Sequence, residues 1–178
     1  MKRTVILGFL LAVSMLLSYI ESLLPLSIGI PGIKLGLPNL IVVLILYIYN
    51  GKEALLVNVA RILLSGFLFS NLYTILYSLA GALFSFAIML LLKKTGKFSL
   101  VGVSICGGVF HNVGQILVAI FVVETFAAAF YLPYLMIAGM VTGFVIGIAG
   151  RHIMPYIIQL EERNVRLSQG NDRRNNRR

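Results

Sequence analysis

With 178 residues, 59% of them hydrophobic and only 12% charged, and a mean hydropathy of +0.96, the chain has too few polar residues to coat a soluble globule of its size. A net charge of +9 would point a soluble protein toward nucleic acid, but here the basic residues follow the loops between apolar runs, and no nucleic-acid partner is expected. The composition therefore predicts an all-α, polytopic membrane protein in contact with lipid.

A hydrocarbon core about 30 Å thick takes about 20 apolar residues per helix. Six runs approach that length, at residues 4–24, 37–49, 53–69, 72–92, 100–123 and 131–151. With both termini cytoplasmic, the inner side holds Lys2, Arg3, Lys52, Lys93, Lys94, Lys97, Arg151 and six tail arginines, thirteen of the fifteen basic residues. Only Lys34 falls outside, and Arg61 lies within a span. That asymmetry is what the positive-inside rule expects.

The first run has no small-residue cleavage site and five spans follow it, so it reads as a retained helix rather than a signal peptide. It carries Gly8-x-x-x-Ala12 and Ser14-x-x-x-Ser18, spacings that let another helix approach closely. The stripe serves either internal packing or docking of a separate membrane subunit. Near the outer end, Glu21 is either a solvated boundary residue or part of a cavity.

Residues 29–39 hold three glycines and two prolines and cannot continue a helix. Irregular backbone at membrane depth survives only where protein or a water-filled cavity satisfies it, so this Gly/Pro-rich segment between the first two helices is read as a capping loop, a lid that carries Lys34. The second run is apolar all round, with Asn39 at its start and Tyr47 and Tyr49 at its end. Asn39 either caps the helix or donates to a ligand carbonyl.

In the third run Asn58, Arg61 and Ser65 share one helix face. An arginine at that depth must pair or face water: it either forms a structural pair with Glu21 or helix-end carbonyls, or it binds a ligand. The fourth run brings Tyr73, Tyr77 and Ser78, then a small-residue patch at 80–82 and Ser85. The basic turn at 93–97 that follows suits anionic head groups.

The fifth run is the most polar inside the membrane. His111 and Gln115 lie one turn apart with Asn112 beside them, among Gly107, Gly108 and Gly114. They are either hydrogen-bonded structural groups or the lining of a cavity. Cys106, the only cysteine, excludes an internal disulfide and is read as core filling. In the sixth run, Gly139, Gly143 and Gly147 form a ridge for tight helix contact with an unspecified partner. Residues 152–166 keep helical spacing along the inner interface, and the Asn/Arg-rich end from 168 is expected to be disordered. The organisation expected is thus a six-span membrane domain, 1–157, and a basic cytoplasmic tail, 158–178.

Several chemistries lack their residues. Asp172 is the only aspartate and the five glutamates are scattered, so no carboxylate cluster can hold the magnesium that diphosphate condensation needs. No phosphate loop, His-Glu-x-x-His or Gly-x-Ser-x-Gly motif occurs. The expectation is a non-enzyme without cofactor or metal site.

The segment from Ser18-Tyr19-Ile20-Glu21 through Leu24-Pro25 and on to Pro31-Gly32-Ile33-Lys34-Leu35-Gly36-Leu37-Pro38-Asn39 resembles the hallmark of the Gx transporter family, which is also labelled heptaprenyl diphosphate synthase component I. The likeness covers about residues 4–157. In size and six-span layout the family is similar to the substrate-binding S components of energy-coupling-factor transporters. The resemblance implies a loop covering an outward-facing pocket, and small residues of the first helix, here Gly8 and Ala12, contacting a transmembrane coupling subunit driven by ATPases. The synthase label implies instead a partner polyprenyl synthase catalytic subunit in menaquinone side-chain synthesis. The reading adopted is a small-molecule substrate captured beneath the lid, with a vitamin, flavin or quinone precursor fitting such a pocket. Lys34 and Arg61 would compensate negative charge, Glu21, Asn39, Asn58, His111, Asn112 and Gln115 would supply polar contacts, and Tyr19 and Tyr73 would stack. The alternative is a non-catalytic component of the synthase.

Overall fold

The computed structural model describes residues 2–23, 35–123 and 126–175. All regular structure among them is helical: α1 (Lys2–Leu23), α2 (Leu37–Ile48), α3 (Gly51–Phe69), α4 (Leu72–Thr95), α5 (Leu100–Val123), a 3-10 turn (Phe126–Tyr131) and α6 (Leu132–Asn175). Lys34 and most of the expected lid lie outside the described residues.

Local chemistry sets the boundaries. The Asn50 and Asn71 side chains accept from the amides of Glu53 (3.1 Å) and Thr74 (2.9 Å), which satisfies orphan donors at the starts of α3 and α4. The hydroxyl of Ser99 accepts from the Gly102 amide at 3.1 Å at the start of α5. Gly96 ends α4 in the left-handed region, φ 67°, a conformation in which glycine carries no side-chain penalty.

Among the described residues four helices are long and apolar enough to cross a membrane: α1, α4, α5 and the first part of α6. The other two expected spans differ. α2 has 12 residues, about 18 Å at 1.5 Å per residue, short of the hydrocarbon thickness. α3 has 19 residues but contains Lys52, Glu53 and Arg61. The sixth run does not stop at Arg151. Its helix continues unbroken past Pro155 to Asn175, further than the tail's composition predicts, and no loop separates the expected membrane domain from the expected tail.

The length of α2 is explained by its position. Val42, Val43, Leu44, Ile45 and Leu46 are at most 2% exposed, so the helix is hydrophobic all round because it is covered all round. It packs on α1, α3 and α6, with Leu10, Ala54, Val57, Phe86, Leu100 and Val103 in the same core. Around it, α5 lies between α4 and α6, and α3 bridges α1 to α4.

The glycine ridge of α6 faces α5. A Cβ on Gly143 would meet the Ser104 carbonyl oxygen at 2.6 Å, one on Gly139 the Gly108 carbonyl oxygen at 2.7 Å, and one on Gly147 the Val101 Cα at 2.8 Å. The two backbones touch without side chains between them. Gly8, by contrast, has nothing within 4 Å, and Ala12 is also exposed. Gly8 and Ala12 therefore do not serve internal packing, whereas Ser14 on the neighbouring stripe is fully buried.

One end of the bundle is tied by basic groups. Arg3 pairs with Glu53 at 2.6 Å and lies over the Tyr49 ring, 5.1 Å from its centroid. Lys93 donates to the Leu46 carbonyl near the C-terminus of α2, where a cation is favourable, and sits 5.1 Å from the Tyr47 ring centroid.

Candidate functional site

Polar stripes on four helices converge. On α1 the stripe is Ser18, Glu21 and Ser22; on α3 Arg61 and Ser65; on α4 Thr74, Ser78 and Ser85; on α5 Ser104, His111, Asn112 and Gln115. Within the stripes residues recur after three, four or seven positions, which keeps them on one helix face, with Ser22 directly beside Glu21 and Asn112 directly beside His111. Together with Asn39 of α2 and Thr142 of α6 they line a cavity of about 170 Å³. Gly107, Gly108 and Gly143 form part of the wall and Met89, Val43 and Ile146 its apolar patches. A concave, largely apolar space with a few convergent polar groups is the usual form of a small-molecule site.

Arg61 is the deepest charge, 9% exposed. Its Nη2 donates to Asn58 Oδ1 at 2.8 Å and its Nη1 to Ser18 Oγ at 3.3 Å. Its Nε is buried without a hydrogen-bond partner. Ser18 Oγ in turn donates to the Ser14 carbonyl at 3.0 Å, so the guanidinium is positioned by a relay from α1 as well as by its own helix. Glu21 is close enough to act on Arg61 electrostatically.

Glu21 also organises the start of α2. Its Oε1 accepts from the Gly36 amide at 2.5 Å, and Gly36 adopts φ 70°, the left-handed region where glycine is favoured. No side chain within α2 caps its start. Asn39 is thus not the cap: it lies inside the first turn, its amide donating to the Gly36 carbonyl at 2.8 Å, and its side chain faces the cavity. The capping role passes to a carboxylate from another helix, which sequence spacing cannot show.

Of the ten residues expected to bind a ligand, Glu21, Asn39, Arg61, His111, Asn112 and Gln115 line the cavity. Asn58 is buried and accepts from Arg61 Nη2 without lining the cavity itself. Lys34 is outside the described residues. Tyr19 packs on Phe69, ring centroids 5.0 Å apart, and Tyr73 is 65% exposed; neither lines the cavity, because successive helical residues diverge by about 100° and their neighbours Ser18 and Thr74 take the inward direction. Asn112 Nδ2 donates to the Leu135 carbonyl at 2.6 Å, which joins α5 to α6. Ser85 Oγ donates to the Gly107 carbonyl at 2.7 Å. The hydroxyls of Thr74, Ser104 and Thr142 were absent from the expected set, although Thr74, Ser78 and Ser85 repeat along one face of α4 and carry the signal.

Residues 10–153 match the family described as heptaprenyl diphosphate synthase component I. The chain belongs to that family. All the cavity-lining residues of this component I chain fall inside the matched span, whereas Gly8 falls before it. No curated protein and no solved structure matches the chain.

Proposed function

We propose that the chain is the substrate-binding membrane subunit of a small-metabolite transporter, a six-span bundle of the bacterial cytoplasmic membrane that captures its ligand beneath the loop preceding α2 and is energised by a partner. The observation that carries this reading is the cavity itself. It is walled by all six helices, contains a buried guanidinium whose Nε is unpartnered, and concentrates polar groups that are costly inside a membrane. In this reading α2 crosses enclosed by the other helices, while the more polar α3 crosses with Leu56, Leu64, Phe67 and Leu68 turned toward lipid and Arg61 turned inward. The exposed Gly8 and Ala12 face supports docking of a transmembrane coupling subunit, itself driven by ATPases. The protein is not an enzyme, and a vitamin, flavin or quinone precursor is the type of ligand proposed.

The family's description favours a second reading, a non-catalytic membrane component working with a polyprenyl synthase catalytic subunit. Mass spectrometry of small molecules co-purifying with the detergent-solubilised protein separates the two. A metabolite held by the wild type and lost from a folded Gln115→Leu variant supports capture. Absence of any metabolite, with a changed product yield when the chain is co-expressed with an aspartate-rich prenyl synthase, would overturn capture in favour of the accessory role.

A further inference from the structure

Hydrogen bonds divide the polar wall of the cavity into groups the fold already uses and groups it leaves open. The charged pair is used. Arg61 donates to Asn58 and Ser18, and Glu21 accepts from the Gly36 amide. Several hydroxyls are used as well: Ser22 donates to the Tyr19 carbonyl at 2.6 Å, Ser65 to the Arg61 carbonyl at 2.6 Å and Ser85 to the Gly107 carbonyl at 2.7 Å. A carbonyl oxygen only accepts, so these hydroxyl protons are committed to the backbone.

Ser104 is different. It lines the cavity and is 3% exposed, and its hydroxyl has no partner among the described residues. The described side-chain atoms sealed in without a partner are Ser14 Oγ, Tyr47 Oη and Arg61 Nε; Ser104 Oγ is not one of them and keeps surface open to the cavity. The side-chain amide of Asn39, in the same wall, is also unbonded among the described residues. The two flank one turn of α6. A Cβ on Gly147 would meet Ser104 Cβ at 3.2 Å, and one on Gly36 would meet Asn39 Nδ2 at 3.2 Å and Ile146 Cδ1 at 3.3 Å.

Around this inner end lie Val43, Met89, Ile146 and the backbone of Gly107 and Gly143. A charge brought here would sit among apolar groups without a counter-ion of its own, since Arg61 and Glu21 are already engaged. A hydroxyl and a primary amide each donate and accept while carrying no charge. Left unmade, such bonds are costly, and one group answers both: an uncharged edge with an N–H beside a C=O.

We infer that the inner end of the cavity, between α2, α5 and α6, is a recognition subsite in which Asn39 and Ser104 take an uncharged, amide-type edge of the ligand, an inference that rests on the capture reading. Arg61 and Glu21 hold the wall instead of the ligand.

The test uses the full chain in nanodiscs and saturation-transfer NMR with matched probes, protein-free nanodiscs serving as the blank. Benzamide against acetophenone exchanges the donor for a methyl group of similar size, and nicotinamide against nicotinate adds a charge on the same ring. Each amide should bind at least about tenfold tighter than its counterpart, the scale of one hydrogen bond to a buried group. Ser104→Ala should weaken amide binding with no loss of Tm, because that hydroxyl bonds nothing in the protein; Ser85→Ala, which breaks a bond to the Gly107 carbonyl, should lower the Tm. Acetophenone or nicotinate binding as tightly as its amide, undiminished binding in Ser104→Ala, or no binding of either amide would overturn the inference, the last meaning that ordered water alone satisfies Ser104. The probe comparisons stand on wild-type protein even where a variant does not fold. If the amides fail while another metabolite co-purifies, this subsite is wrong and capture stands. If nothing co-purifies and no probe binds, both fall.

Discussion

The Glu21 carboxylate accepts the Gly36 amide at 2.5 Å, so the last turn of α1 holds the first turn of the buried helix α2. A negative charge at a helix N-terminus is favourable by about 0.3–2 kcal/mol, most when partly buried, and here the same charge also faces the cavity that contains Arg61. Gly36→Ala should test the backbone side of this contact. Its φ of 70° strains any other residue, and the new Cβ would meet Asn39 Nδ2 at 3.2 Å and Ile146 Cδ1 at 3.3 Å. A loss of about 1–2 kcal/mol is expected, read as a lower apparent Tm in detergent, whereas Glu21→Gln keeps an acceptor and should lose less.

The contact between α5 and α6 has no spare volume. Gly143→Leu should prevent assembly, because even a Cβ would lie 2.6 Å from the Ser104 carbonyl oxygen and overpacking against backbone cannot be relieved by a side-chain rotation. Gly8→Leu is the control: with nothing within 4 Å, it should elute as the same monodisperse species with an unchanged Tm. The measurement is fluorescence-detected size exclusion of both variants side by side.

Asn112 joins α5 to α6 through the Leu135 carbonyl at 2.6 Å. Asn112→Ala should cost about 1–2 kcal/mol by leaving that carbonyl without its donor. Asn112→Leu should do no better despite its greater hydrophobicity, since the deficit lies on the partner. Thermal unfolding of the purified variants distinguishes these outcomes from a surface effect.

The Arg3–Glu53 pair should matter little. Its side chains are 54% and 20% exposed, and exposed pairs contribute about 0–1 kcal/mol. Arg3→Gln should therefore shift the Tm slightly at low salt and not at all at high salt. A large, salt-independent shift would mean that the 5.1 Å contact with Tyr49, rather than the charge pair, holds this end.

Much of the architecture was legible because lipid imposes a simple rule on length and polarity. The fifth run, 100–123, coincides with α5, whereas Leu37, Pro38 and Asn39, read as the end of an irregular segment, form the first turn of α2, where proline is tolerated. The polar residues of the fifth run stood out because His, Asn and Gln are rare against so apolar a background, and the structure places all three in the cavity wall. What the sequence could not convey was pairing. The ridge at Gly139, Gly143 and Gly147 announces a close neighbour but not that it is α5, and the hydroxyls of Ser104 and Thr142 look like packing residues until the helices are assembled. The exchange of capping roles between Asn39 and Glu21 joins residues on different helices, so no local spacing encodes it. Tyr19 and Tyr73 were read as stacking groups for their chemistry, but direction around the helix sends them outward.

The short helix at the centre has one more consequence. A segment shielded on every side is not matched to a bilayer, so hydropathy does not constrain its sequence; any greasy residue satisfies that criterion. Its constraint is cubic rather than chemical. Exchanging Ile45 and Ala54, two fully buried positions, would leave a hydropathy plot almost unaltered, yet it would put a bulge where α3 closes and a hole where α2 sits. Two chains indistinguishable to a membrane-insertion apparatus would thus differ in whether the barrel of helices can shut around its plug.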